Sequence, residues 1–510
     1  MVLLAFGRVL WSCPGAVLGR LRVACHLLTG ATGLLGNYLL KGALTAGLDV
    51  AVLARPSRLA TEKERVEDIM LRWERLLERD LPRPPVFAAD LAEPDLALDV
   101  PTRKWIAENC STFIHNAASL TFEANEKTGE PRRTNIDGTR NVLALCEELG
   151  IRRMHYVSTA YICGLRQGRV LESEVDVGQT PGNAYEETKL EAEKMVRAAD
   201  FLDSLTVYRP AIIIGDSQTG YTTTFHGFYT PLRIVHGVSH KLPLGYGDRP
   251  LPESLGLVGN EFKNFVPVDW VASIICHVMS NQKFHGTTYH LTPQNAVDVQ
   301  TMYDQISEAV VQLSPPRSDS ESGLLDFKEL TEMFLDQMTA YRSYWRDDPV
   351  FDTTNLLKVA PHLPCPRVDK EMLKRACHYA IENNFGWPAA PPQKADFDVG
   401  AAISQVVVNR DAGEHTQRIG LHVFGQGGAQ CTLSMDGGTI LGMEPGICDP
   451  DGHAYLNSRS FRQLWLGELN FDDAWQSGQV ALQRCKLPRV QLLPNVRAAL
   501  TAALGDVVSN

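Results

Sequence analysis

Tyr185 and Lys189 lie four residues apart in the stretch NAYEETKLEAEKMV. Helical spacing puts two such residues on one face, one turn apart. Thr159 stands 26 positions before Tyr185, at the end of the apolar run RRMHYVST, with Ser158 beside it. Reducing a carbonyl needs a hydride donor, a proton donor and a group that polarises the oxygen. A free tyrosine, with a pKa of about 10, is a poor acid–base group at neutral pH. A lysine ammonium one turn away is expected to stabilise the phenolate and lower that value. Tyr185 is therefore the candidate acid, Lys189 its tuner, and Thr159 or Ser158 the donor to the carbonyl oxygen. Among fourteen tyrosines one such spacing arises easily by chance, so the surroundings must carry the case.

The hydride donor has its own signature. TGATGLLG, residues 29–36, follows an apolar run and opens an amphipathic stretch, with Gly30, Gly33 and Gly36 at G-x-x-G-x-x-G spacing. Such a turn brings backbone close to a pyrophosphate and lays the anion at a helix N-terminus, where free N–H groups favour it. Thr29, Thr32 and Leu34 complete this loop. The next apolar run ends in LARPSR. An acidic residue there would bind the ribose hydroxyls of NAD; Arg55, with Arg58 close by, suits a 2′-phosphate instead. The expected cofactor is NADP(H). Asp90 and Leu91, after the third run, fall where an adenine ring would be flanked.

Those positions require a parallel sheet to hold them. From about residue 22, short apolar runs alternate with amphipathic helical stretches: RVACHLLTG, DVAVLAR, PPVFAAD, STFIHNAA, RRMHYVST and LTVYRPAIIIG read as strands. This implies an α/β fold, a doubly wound Rossmann-type sheet covered on both faces. Residues 222–385 are less regular and suit a smaller substrate subdomain. WPAAPPQKADF marks a linker, assigned to 386–399. Residues 400–505 read as a separate α+β domain, and residues 1–21 as an extension ahead of the first strand, with a targeting or membrane-surface role as the alternative.

Bulk properties narrow the class. At 510 residues the chain needs two or three domains. Its net charge of −11 and lack of a basic patch argue against a nucleic-acid partner. Eleven scattered cysteines, with no CxxC and no ligand-like Cys/His spacing, point to a reducing, cytoplasmic setting and to no metal site.

TGATGLLG, HNAA (115–118), TNIDGT (134–139), YVSTAY (156–161), YEETK, YRPAIIIGD (208–216) and NFVPVDWVA (264–272) together resemble an extended short-chain dehydrogenase/reductase. IHNAASLTF and YVSTAYICG are similar to its thioester reductase and fatty acyl-CoA reductase branch. The resemblance implies Tyr185 as general acid, Lys189 on the nicotinamide ribose, and Thr159 on the substrate oxygen. It also implies Asn116, Ala117 and Ala118 against the cofactor and Pro210 to Ile212 on the nicotinamide side. Asn135 is expected to be structural, and His115 and His155 to be packed. The implied reaction is NADPH-dependent reduction of an acyl thioester or related lipid carbonyl to aldehyde or alcohol, the thioester arriving on CoA or on an acyl carrier protein, with peripheral membrane contact as a further possibility. Sugar-nucleotide epimerases or dehydratases and hydroxysteroid dehydrogenases share the scaffold and stay open as alternatives. So does a non-enzymatic lipid-transfer or redox-sensing role. Residues 400–505 resemble a sterol-carrier-protein-2-like domain, in which Phe461, Leu464, Trp465 and Leu466 would line an apolar tunnel.

Overall fold

The structure, a computed structural model, describes residues 25–58, 60–237, 239, 257–313, 332, 335, 338–387, 397–405, 417–424, 427–436, 439–476, 479–484, 494, 496–498 and 500. The N-terminal extension, most of the expected linker and residues 437–438 lie outside these residues.

Seven parallel strands form the main sheet: β1 (Cys25–Thr29), β2 (Val50–Ala54), β3 (Val86–Ala88), β4 (Cys110–His115), β5 (Arg153–Val157), β6 (Ser204–Pro210) and β7 (Thr288–Leu291). Their order is β7-β6-β5-β4-β1-β2-β3. Winding runs outward from β1 through β3, then returns to β4 and continues the other way. The crevice between the carboxyl ends of β1 and β4 is thus the topological switch point, where such sheets bind ligands.

Both faces of the sheet are apolar because both are covered. Leu27, Ala51, Leu53 and Phe113 pack under α3 (Val100–Asn109), α4 (Gly138–Glu148) and α5 (Ala184–Arg197). Their neighbours Leu28, Val50, Val52 and Ile114 pack under α1 (Leu34–Thr45), α2 (Glu62–Leu77) and α7 (Val268–Met279). The period-2 alternation of a strand makes this division. Each leucine, valine, isoleucine or phenylalanine among them, fully buried, contributes about 1.5–3 kcal/mol. A Cβ on Gly42 of α1 would lie 2.6 Å from Cys276 Sγ of α7, so these two helices pack at glycine distance.

Two features correct the sequence reading, and a third adds to it. LTVYRPAIIIG is two strands: the chain leaves the sheet after Pro210, and Ile212–Ile214 pairs with Phe265–Pro267. TTYHL supplies β7, the seventh strand of the main sheet, so residues 222–385 are not wholly a separate subdomain. Part of the charged side of α5 also turns inward. Glu186, Lys189 and Glu193 are all buried, which is affordable only because each has a partner.

Toward the C-terminus a second, five-stranded sheet comprises Gln417–Phe424, Gln430–Asp436, Thr439–Pro445, Gly452–Asn457 and Ala481–Arg484, in the order third-second-first-fourth-fifth. First and fourth run parallel; the other pairs are antiparallel. Phe397 and Val399 already belong to its core, so this unit begins before residue 400. Phe461, Leu464 and Trp465 of helix Ser458–Trp465 are buried in the same core. Leu466, at the C-cap of that helix, is exposed and does not belong to this core.

Candidate active site

The glycine loop is fixed by backbone contact. Gly30 adopts φ +73°, in the left-handed region that favours glycine, and a Cβ there would meet Ala117 N and Cα at 2.8 Å. A Cβ on Gly36 would sit 1.9 Å from Gly30 O, so α1 can start this close to the turn only with glycine. Gly33 is the N-cap of α1, and its missing Cβ faces open space apart from Gly30 O at 3.4 Å. Thr29 Oγ1 accepts from Asn116 N (3.2 Å) and Ala117 N (3.3 Å), tying the tips of β1 and β4 together at the switch point. Asn116 Nδ2 donates to Gly30 O (3.2 Å).

These groups line one end of a cavity of about 780 Å³. Thr32, Leu34, Arg55, Asp90, Leu91, Ala117 and Ala118 line that end too. Arg58 is exposed on the loop after β2 and is not among the lining residues. Arg65 takes the place expected of it. A capping box of Thr61 and Glu64 sets the first turn of α2, and from there Arg65 donates to Thr32 Oγ1 (3.0 Å) and to Arg55 O. Burial and the charge of Arg55 hold its guanidinium below the usual range. Ten residues separate Arg55 from Arg65, and only the capping signature TEKE ahead of an amphipathic run could have revealed that the helix turns Arg65 back.

The middle of the cavity holds the residues that could move a proton. α5 begins at N-cap Asn183, whose side chain accepts from Glu186 N (2.9 Å), so Tyr185 stands in the first turn. Thr159 ends the run from β5, its Oγ1 accepting from Tyr161 N (3.2 Å). Thr159, Tyr185, Lys189, Ser158, Pro210 and Ile212 all line this part. Burial raises the Tyr185 phenol well above its ordinary value, and a hydrogen bond from Thr159 opposes that rise. Lys189 Nζ donates to Tyr156 Oη (3.0 Å) and to Val157 O (2.8 Å), and burial pulls its pKa down to about 7. Lys189 Nζ thus bonds to Tyr156 Oη and Val157 O, and burial is the largest influence on the Tyr185 phenol. A phenol held this way keeps its proton at neutral pH, as a donor must.

Behind Lys189, Arg209 donates to Glu193 (2.6 Å) in a pair with both side chains fully buried. Asn135 donates to Ser119 O (3.1 Å) and Thr188 Oγ1 (3.0 Å), stitching the segment after β4 to α5. His115 lies between Thr29 Oγ1 (3.1 Å) and Thr139 Oγ1 (3.2 Å), and His155 beside Tyr208 Oη (2.9 Å). Both are fully packed, and burial drives both pKa values down.

At the other end the walls are apolar and aromatic. α6 (Tyr229–Gly237) offers Ile234 and Val235, and α8 (Val299–Leu313) offers Met302 and Ile306. Phe122, Tyr341 and Tyr344 stand over Tyr185, with Phe122 5.8 Å from its ring and 5.5 Å from that of Tyr344. None of these was legible as a motif, since they come from separate segments.

Residues 28–275 match the family model described as Male sterility protein, an NAD-binding domain. Among curated proteins the chain is similar to the non-canonical nonribosomal peptide synthetase hkm10 of Aspergillus hancockii, 27% identical over 389 residues that span 70% of this chain and 36% of that protein. It is also similar to the aldehyde reductase lnaA of Aspergillus flavus, 28% identical over 389 residues, 69% of this chain and 35% of that one. The chain thus spans about a third of the length of these relatives. Of solved structures, the terminal R domain from the myxalamid PKS-NRPS biosynthetic pathway superposes with a TM-score of 0.54 at 24% identity, covering 72% of this chain and 92% of that domain. That match shows a shared fold. With the glycine cradle at the β1/β4 switch point, residues 28–275 match an NAD-binding family model and share the Rossmann-type fold of that R domain.

Proposed function

We propose that the protein is an NADPH-dependent reductase of acyl thioesters, with Thr159, Tyr185 and Lys189 as its working residues. One observation carries this reading: the glycine cradle, the Thr159–Tyr185 pair and an apolar chamber share a single continuous cavity. The cradle fits a dinucleotide, because Gly30 and Gly36 leave room only for backbone and the α1 N-terminus is free of acidic residues. Arg55 and Arg65, the latter depressed by burial and by the charge of Arg55, form a cationic pair suited to a 2′-phosphate, and this favours NADPH over NADH. Gly30, Gly33, Thr32, Asn116 and Lys189 would hold the cofactor, and the chemistry supplied there is hydride donation from a reduced nicotinamide.

The chain's own residues do the rest. Thr159 donates to the thioester oxygen and stabilises the charge that develops on it. Tyr185 gives its proton to that oxygen as the carbonyl carbon becomes tetrahedral. Lys189, fixed by Val157 O, keeps α5 and hence Tyr185 in register with β5. Collapse of the hemithioacetal breaks the carbon–sulfur bond and yields thiol and aldehyde. The apolar chamber excludes water and takes the acyl tail. A relative named an aldehyde reductase supports a carbonyl substrate, and a relative named a nonribosomal peptide synthetase supports one delivered on a carrier.

The domain organisation belongs to the same proposal: residues 22–385 as the reductase, a linker from 386 that ends before Phe397, and the unit from Phe397 to 505 as a sterol-carrier-protein-2-like domain that holds lipid. The five-stranded sheet with packed helices supports the last. The test is NADPH consumption with a panel of acyl-CoAs, carrier-bound acyl groups, aldehydes, hydroxysteroids and nucleotide sugars. Turnover with acyl thioesters is expected. Turnover confined to sugars or steroids would overturn the substrate assignment.

A further inference from the structure

The aromatic wall over Tyr185 is built on a strap, residues 341–348, that reaches the site from far along the chain. Three polar anchors pin it. Asp348, fully buried, receives Tyr161 Oη (2.7 Å) and Asn264 N (2.9 Å) on one carboxylate oxygen and pairs with Lys263 Nζ (3.0 Å) on the other. Lys263, also buried, donates to the backbone carbonyls of Tyr344 and Arg346. Arg346 NH2 donates to Gly164 O (2.8 Å). On its inner side Tyr344 stacks on Phe122 and lies 3.3 Å from Asn183 Nδ2, the cap of the helix that carries Tyr185. Tyr161 follows Thr159 by two residues, and its ring meets that of Tyr344 at 5.4 Å.

We propose that Lys263 and Asp348 are positioning residues that clamp this strap, and that the clamped wall of Phe122, Tyr341 and Tyr344 sets which acyl chains reach Tyr185. The proposal rests on the acyl thioester reading for its substrate, not for the clamp. A buried ammonium with three oxygen acceptors is an unusual investment for a surface connection. Here it joins three segments that bear on the reaction: the Thr159 loop, the α5 N-terminus and the apolar chamber. Lys263 and Trp345 line the cavity themselves, so loosening the clamp alters the chamber directly.

The experiment compares wild type with Lys263→Met, Lys263→Arg and the charge-neutral double variant Lys263→Met/Asp348→Asn. Hydrogen exchange of the amides in 341–348 is read alongside KM and kcat for a short and a long acyl-CoA. Expected for Lys263→Met is exchange about tenfold faster in the strap alone. The ratio of long-chain to short-chain KM should shift by about fivefold or more, with kcat on the short substrate within about threefold and rescue by Lys263→Arg. If Lys263→Met does not fold, the double variant, which leaves no buried charge unpaired, should show the same two changes. Unaltered strap exchange would overturn the clamp, and faster exchange with an unaltered KM ratio would overturn its role in selection. Wild type silent on every acyl thioester is a separate result: it removes the substrate reading, and the exchange arm still decides the clamp.

Discussion

The two ends of the cavity are made of different material. The cofactor end is backbone: eight consecutive residues, Thr29–Gly36, form the turn, and its dimensions are set by where a Cβ would collide. The substrate end is side chain, with Phe122, Met302, Ile306, Tyr341 and Tyr344 converging from separate segments. A pyrophosphate is recognised by N–H groups and close approach, which only a fixed turn can give. An acyl chain is recognised by shape and apolar area, which many combinations of side chains can give. Tyr185 and Thr159 sit at the seam, on the sheet that both ends share.

The largest break in that arrangement is at the seam. Tyr185→Phe removes the proton donor and leaves the ring among Phe122 and its neighbours. A fall in kcat of about 10²–10⁴ is expected, with NADPH affinity by fluorescence titration nearly unaltered. A variant retaining most of its activity would take Tyr185 out of the mechanism.

The glycines sharpen the contrast between backbone and side chain. Alanine is favoured over glycine inside a helix by about 1 kcal/mol. At Gly36 that gain meets a backbone oxygen 1.9 Å away that cannot yield. Gly36→Ala should therefore lose about 3 kcal/mol or more of stability, read as a drop in Tm. Gly33→Ala, with its nearest contact at 3.4 Å, should keep its Tm and lose cofactor affinity, because its new methyl projects where the ligand approaches.

The same contrast explains what the sequence made legible. TGATGLLG, YEETK and the strand alternation were readable because local spacing dictates local geometry: a turn, a helix face, a period of two. β7 was missed because TTYHL is short and follows an irregular stretch, and only pairing with β6 makes it a strand. The burial of Glu193 was not legible in α5 itself, since its partner Arg209 lies on β6. Lys189 was expected to act as a full ammonium, because burial to about pKa 7 depends on what the whole fold stacks over it.

That burial has a measurable sign. Folding lowers the Lys189 pKa from 10.5 to about 7, so between those values the unfolded chain binds the extra proton. Stability then rises with pH through this window, by about 1.4 kcal/mol per unit for a single group. Unfolding free energies of wild type relative to Lys189→Met should climb by about 2.3 kcal/mol from pH 7 to 9, the slope reaching its full value only above the folded pKa. A flat difference would mean that the ammonium is not desolvated as the geometry implies.

The smallest effect tests the cofactor end by charge alone. Arg58 is exposed and off the cavity wall, whereas Arg65 reaches Thr32 at the mouth of the glycine turn and feels the charge of Arg55. If a 2′-phosphate relieves that repulsion, Arg65→Ala should weaken NADPH binding about tenfold, near 1.4 kcal/mol, and leave NADH binding nearly unaltered. Arg58→Ala should change either by less than about twofold, since an exposed charge in salt contributes little. Equal losses for both nucleotides in Arg65→Ala would mean that this side chain supports the turn and does not read the phosphate, and the preference for NADPH would then rest on Arg55.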